Sequence, residues 1–418
     1  MKRIIYSAVA AALLVTSCQK TDVLNVVEDS IDFSTQVGKL TKADYSAPKY
    51  QTLTDQGFRV WAVSDFTSAP HTDGSIYNDM NGLDVEYKDG WGFVNKGKYM
   101  WPQSGQYLYF YTISSKKSTW LEDIKTGNMF TTGESVDPVS KLELPLYIVG
   151  DEEDADMSLA NDDIMVANRI HQHKGTTSEK TTVVTPNFRH TMTKVEFNFK
   201  KGAPTSDAAS VATTVVLNKV EISPVVRAGN LTVEYAIANE DFAFSWDPIK
   251  DNDNPARSFI YTAPQDAYIE NGDDITLVPV YNELPEVGSE GEYCKVGNDI
   301  YVVAKETVEG VDTFKWTKTD VECSSYSGKV LNSTSDFTNY VTWYMIPQDL
   351  EDEQVVTITY EADGKTIVQK FALTVAEAAK DWTEETCVKY NVTIAPHKIV
   401  FKPSVDNWVE NPDTDMNV

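Results

Sequence analysis

The chain has 418 residues, 41% hydrophobic and 11% aromatic, with 63 acidic against 36 basic side chains and a formal net charge of -27. That length suits two domains of ordinary size, and the apolar content is enough to build their cores. The charge argues against nucleic acid and against electrostatic binding to anionic lipid, because phosphates would be repelled.

The first stretch, Met1–Cys18, begins with basic Lys2 and Arg3 and continues with the short apolar run Ile4–Val15. That run is too short to span a bilayer and has the flanks of a secretory signal. Leu14-Val15-Thr16-Ser17-Cys18 has the form of a bacterial lipobox. It predicts a signal peptide over 1–17, cleavage before Cys18, and acylation of Cys18. Acyl chains anchor a protein at ~0.8 kcal/mol per buried methylene. No second stretch approaches membrane-spanning length, so the lipid would be the only anchor.

In the following tether, 18–42, Ile31, Phe33 and Val37 alternate with Asp32, Ser34 and Gln36, the pattern of a half-buried strand. Lys39 and Lys42 follow in a Gly-, Thr- and Ser-containing segment. On residues alone this is the opening strand of a sandwich after a tether. The same pattern also suits a segment that is cut off.

Beyond Gln56 the spacing predicts strand after strand. Phe58, Val60 and Ala62 alternate with Arg59, Trp61 and Val63, and Tyr107–Tyr111 is an aromatic strand. Thr67–Gly90, with Asn81-Gly82 and Asp89-Gly90, is expected to be loop-rich, and Ser114–Lys141 a long polar connection. Leu142–Val149 is strand-like around Pro145. Val195, Phe197 and Phe199 alternate with Lys194, Glu196, Asn198 and Lys200. Lys201–Ser210 has linker composition, so the expected division is an N-terminal domain over 43–200 and a C-terminal domain over 201–418. Further strands are expected at Val216–Ile222, Leu231–Tyr235, Phe242–Trp246, Phe259–Tyr261, Ile275–Val280, Val341–Ile346, Val355–Tyr360 and Thr366–Val375. At the end, Val388, Tyr390, Val392 and Ile394 share one face of a strand, and Ile399, Phe401 and Val405 share one face of the next. Regular short strands with almost no helix predict an all-β protein of antiparallel β-sandwiches.

The chemistry of an enzyme is missing. Five histidines are scattered through the chain, and none stands in a nucleophile, phosphate-loop, dinucleotide or zinc motif. His171 and His173 share a strand face but have no evident third ligand, and the acidic run Asp151–Asp156 lacks the glycine and terminal glutamate of a calcium loop. No catalytic residue, metal site or cofactor is therefore expected. His190 reads as a packing or hydrogen-bonding residue. Cys294, Cys323 and Cys387 remain after Cys18, and Cys294 with Cys323 could pair in an oxidising compartment.

Several short motifs, in order, resemble one family. They are Trp101-Pro102 before Tyr107–Tyr111, Asp163-Ile164-Met165-Val166-Ala167, Asn187–Val195, Ile346-Pro347-Gln348 before Val355–Tyr360, and Trp382–Ile394 followed by Ile399, Phe401 and Val405–Trp408. Together with the lipobox they resemble the fimbrillin family of type V pilus subunits. That resemblance implies two transthyretin-like sandwiches in tandem. It implies a lipoprotein precursor at the outer membrane, and then a subunit of a cell-surface fimbria. A trypsin-like protease would remove the first strand after Lys42 or Lys39, carrying Ile31, Phe33 and Val37 away. The C-terminal strand of another pilus subunit would refill the groove, with Ile399, Phe401 and Val405 as the donor residues here. The alternative is an adhesin or glycan-binding surface lipoprotein that does not polymerise, a tip subunit included. Trp61, Trp91, Trp101 and Trp120 would then be candidate platforms for a host or glycan ligand.

Overall fold

The computed structural model describes residues 30–37, 51–64, 76–102, 106–124, 141–150, 162–173, 183–202, 214–235, 242–253, 256–263, 267–271, 274–278, 280–281, 283–296, 298–308, 311–325, 328–331, 337–362, 364–374, 380–395 and 398–407. These are organised as antiparallel-rich β-sheets, with two six-residue helices at Gln51–Gln56 and Ser118–Asp123. No described helix is long and apolar enough to cross a membrane.

An eight-stranded sheet forms the first layer. Its order runs Gln36–Val37, Asn187–His190, Met165–Ala167, Tyr107–Ser114, Phe58–Ser64, Ile76–Tyr87 and Trp91–Phe93, with Ile170–His173 also on Tyr107–Ser114. Phe58–Ser64 is buried on both faces. Phe58, Val60 and Ala62 enter one apolar cluster, while Trp61 and Val63 enter another. Arg59, between them, reaches Asp84 through two hydrogen bonds of 2.6 and 3.0 Å. Period-two alternation thus splits one strand between two cores, where a half-exposed strand would have put a polar face in water.

Against the Trp61 face lies a second sheet of Phe242–Ile249, Ala228–Tyr235, Lys141–Glu143 and Tyr147–Ile148. Pro145 falls in the break between the last two, where no ladder donor is needed. Tyr111 and Tyr235 meet edge-to-face across the two sheets at 5.4 Å. A second sandwich pairs the sheet Thr338–Met345, Thr193–Lys201, Thr386–Ala395, Lys398–Asn407 with the sheet Arg257–Thr262, Val215–Val225, Val355–Ala362, Lys365–Ala372. Phe259 meets Trp343 and Phe371 stacks on Phe401 across that interface. The junction expected at 200/201 falls at the end of Thr193–Lys201, whose partners are 338–345 and 386–395. In return, Ala228–Tyr235 pairs with 141–148.

Three local expectations change. Ile76–Tyr87, read as loop, is a twelve-residue strand. Its turn-like residues are absorbed as irregularities, with Asp79 and Gly82 at positive φ and two register shifts against Phe58–Ser64. The connection after Ser114 contains the helix Ser118–Asp123, which buries Trp120 and Leu121. The polar side of Thr193–Lys201 is covered too, with Glu196 and Asn198 buried. Glu196 pairs with Lys194 at 2.9 Å and Asn198 bonds Asn391 at 3.1 Å. Gly57 closes the helix Gln51–Gln56 at φ +68, and a Cβ there would lie 2.5 Å from the Val85 carbonyl oxygen.

Cys294, Cys323 and Cys387 form no disulfide. Burial pushes the Cys387 thiol up to about 12, with the Glu196 carboxylate adding to the effect.

Candidate functional site: the seat of the first strand

Residues 30–37 come from one end of the chain and lie between two backbones far away in sequence. On one side, the Ile31 amide donates to the Tyr99 carbonyl at 2.7 Å, and Ser30 bridges Met100. On the other, Asp32–Phe33 runs parallel to Val183–Val184, and Gln36–Val37 runs parallel to Asn187–His190. The Ser34 amide donates to the Val184 carbonyl at 3.0 Å. The segment therefore fills a slot with ladder bonds on both flanks. Parallel pairing excludes a hairpin connection, so nothing local seats it there.

The side chains follow the alternation. Ile31 is 2% exposed and Phe33 8%, while Asp32 faces outward. Phe33 stands edge-to-face with Phe58 and Phe93, each at 5.6 Å, and with Phe110 at 6.3 Å. Trp101, Ile170, Val184 and Phe188 belong to the same cluster. Burying each of the two apolar side chains contributes about 1.5–3 kcal/mol. Removing the segment would leave an apolar trough and unpaired strand edges on both sides, which another strand could fill.

The family-like motifs brace this site. Asp163, fully buried, meets the buried His190 ring at 2.7 Å. Thr191 donates both its amide and its hydroxyl to the Ile164 carbonyl, at 3.0 and 2.9 Å. His190 is thus a hydrogen-bonding residue of the interior. Arg189 forks onto Glu385 at 2.7 and 2.5 Å, over the rings of Phe242 and Phe244. That ties the seat's strand to the distal sandwich. Away from the seat, Gln348 reads the Val226 backbone in both directions, accepting its N–H at 2.9 Å and donating to its carbonyl at 3.0 Å.

Of the remaining candidates, Cys18, Lys39, Lys42 and Asp151–Asp156 lie outside the described residues, as does the side chain of Val37. Ile399, Phe401 and Val405 are half-buried against the larger core. Their strand pairs with Thr386–Ala395 along its whole length. Phe401 stacks between Phe371 at 5.1 Å and Tyr390 at 5.3 Å. His171 stacks on Tyr109 at 4.2 Å. Among the described residues no group of three or more His, Cys, Asp or Glu is arranged to hold a metal. Trp61, Trp101 and Trp120 are buried, and Trp91 is half-buried against Phe58 and Tyr87. These four are thus part of the packing, and the first three have no face for a sugar. Tyr99 and Phe93, which flank and line the seat, are not among the candidate residues of the sequence. No local pattern marks them as partners of residue 31 or 33.

The fold and the seat define a class: an all-β sandwich protein whose leading strand is a separately seated element. The fimbrillin-like family model matches residues 41–283, and the chain belongs to that family. No curated protein matches it. Similar solved structures include a candidate cell adhesion protein from Bacteroides uniformis, at 10% identity and a TM-score of 0.42 over 91% of this chain and 100% of that one. A fimbrial protein from Bacteroides vulgatus matches at 13% identity and TM-score 0.41, over 90% and 99%. The tip fimbrial protein Mfa3 from Porphyromonas gingivalis, with a C-terminal truncation, matches at 10% and 0.28, over 84% and 94%. Such identities and TM-scores support no residue-level correspondence.

Proposed function

We propose that this protein is a structural subunit of a cell-surface fimbria, assembled by exchange of its first strand. In this reading it is exported as a lipoprotein acylated at Cys18 and held at the outer membrane. A trypsin-like protease then cuts after Lys42 or Lys39, and the terminal strand of another pilus subunit takes the vacated seat. Membership of the fimbrillin-like family supports the pilus or adhesion role. The observation that carries the exchange is the burial of Ile31 and Phe33 in a slot whose walls, 99–100 and 183–188, are remote in sequence. Once cut, a segment held only by such contacts can be replaced by a strand of similar pattern. Ordering a strand costs about 1–2 kcal/mol per residue whichever chain supplies it. The contacts are similar before and after, so cutting gives the exchange its direction. We further propose that the structural units are two sandwiches with interleaved strands, which replaces a single junction at residue 200.

Mild trypsin treatment of the mature protein tests this reading. Cleavage confined to Lys39 or Lys42, followed by multimers that survive on native gels, is the expected result. Diffuse cleavage with persistent monomers would sink it.

One observation favours a second reading, a tip or other non-polymerising adhesin. The candidate donor residues Ile399, Phe401 and Val405 are engaged in their own sandwich, with Phe401 stacked on two rings. Under this reading, clipped protein accepts a strand from another subunit but forms no homopolymer.

A further inference from the structure

We propose that a cleft on the outlying sheet is a binding site for an organic cation, an alkylammonium or guanidinium group. The sheet consists of Val280–Tyr281, Tyr293–Val296, Asp299–Val308 and Val311–Thr319, far along the chain from the seat of the first strand. The cleft encloses about 400 Å³. Three aromatic rings line it, Tyr281, Tyr293 and Trp316, together with Glu286, Glu292 and Thr276.

The cleft has a fixed frame. The Trp316 indole N–H donates to the Pro285 carbonyl at 3.0 Å, which holds the 283–290 loop against the ring. Trp316 stands opposite Val303 in the long antiparallel pair. The Val303 amide in turn donates to the Glu292 carbonyl at 2.8 Å, and the Gly291 amide donates to the Val303 carbonyl at 2.9 Å. Ring, loop and both glutamates are therefore connected through one short hydrogen-bonded unit.

Its chemistry is one-sided. Aromatic faces carry negative quadrupole, and carboxylates only accept hydrogen bonds. Neither Glu286 nor Glu292 has an ion-pair partner among the described residues, and no described Lys, Arg or His lines the cleft. Among the lining side chains, Trp316 already spends its indole N–H on Pro285, and only the hydroxyls of Thr276, Tyr281 and Tyr293 can donate. A cation with N–H or polarised C–H groups complements both the rings and the carboxylates. The net charge of -27 raises the local concentration of any such ligand. Tyr281 and the neighbouring Leu284 are 42% and 44% exposed, which leaves the mouth of the cleft accessible.

The test uses the full mature protein and ligand-observed NMR. The probes are choline, its neutral isostere 3,3-dimethylbutanol, N-acetylarginine amide and methyl β-galactoside. Saturation transfer to choline and to the arginine amide, with at least about tenfold weaker binding of the neutral alcohol, is expected for a cation held over aromatic rings. Preference for the arginine amide would assign the cation to a protein side chain. Preference for choline would assign it to a small molecule or headgroup. The Glu286→Gln, Glu292→Gln double variant should lose most of the cation binding while keeping the native thermal midpoint. It complements Trp316→Ala, which removes a ring that also anchors the loop. Equal binding of alcohol and choline, transfer to the galactoside alone, or full binding by the double glutamine variant would overturn the proposal.

Discussion

Gln348 holds the Val226 backbone from both sides and also donates to the Ile346 carbonyl at 3.0 Å. A leucine of similar size would leave the half-buried Val226 N–H and C=O and the buried Ile346 carbonyl without this partner. An orphaned buried group costs about 1–3 kcal/mol and a half-buried one less, so Gln348→Leu should destabilise the fold by roughly 1–3 kcal/mol in urea unfolding. A change within a few tenths of a kcal/mol would show that water satisfies these groups. The identities of such residues are legible as motifs: Pro347-Gln348, the Asp163 segment and the His190 segment are all found by eye. Their use is not. That Asp163 meets His190 across 27 positions, or that Arg189 reaches Glu385 across 196, is a consequence of sheet assembly.

At the scale of elements, alternation succeeds where one face is dry and fails where both are. Val388, Tyr390, Val392 and Ile394 are buried as their spacing predicts, and Lys389, Asn391 and Thr393 are half-exposed. Phe58–Ser64 is buried on both faces, as is the middle of Thr193–Lys201 at Glu196 and Asn198, which no single-strand pattern reveals. Ile76–Tyr87 escaped because Asn81-Gly82 is a turn signal in isolation, yet here cross-strand pairing carries the chain through it. The leading strand is the element with the clearest test. A synthetic peptide of residues 29–42 should rebind to clipped protein, and its Phe33→Ala version should bind at least about tenfold more weakly, since it forfeits one large buried ring. Equal affinity of the two peptides in calorimetry would mean that Phe33 does not anchor the strand.

For the whole molecule, strands from either side of residue 200 are exchanged between two sandwiches. The 43–200 fragment lacks Ala228–Tyr235 and Phe242–Ile249, and so exposes the face that carries Trp61, Tyr111 and Ile113. It should be insoluble or bind hydrophobic dye when expressed alone, whereas a fragment ending near 249 should retain more native near-ultraviolet dichroism. A 43–200 fragment with a cooperative melt would contradict the interleaved arrangement.

Composition and residue spacing alone determined that this is an acidic, all-β protein with an amphipathic leading strand, because burial of alternate side chains is a local property of a strand. The ordered motifs pointed to the family for the same reason, since each is a short contiguous string. Only the tertiary structure decided which backbones flank residues 30–37, which strands cross between the sandwiches, and that Tyr281, Tyr293 and Trp316 share one cleft. Those facts depend on pairings across tens to hundreds of residues, and a period of two carries no information about its partner.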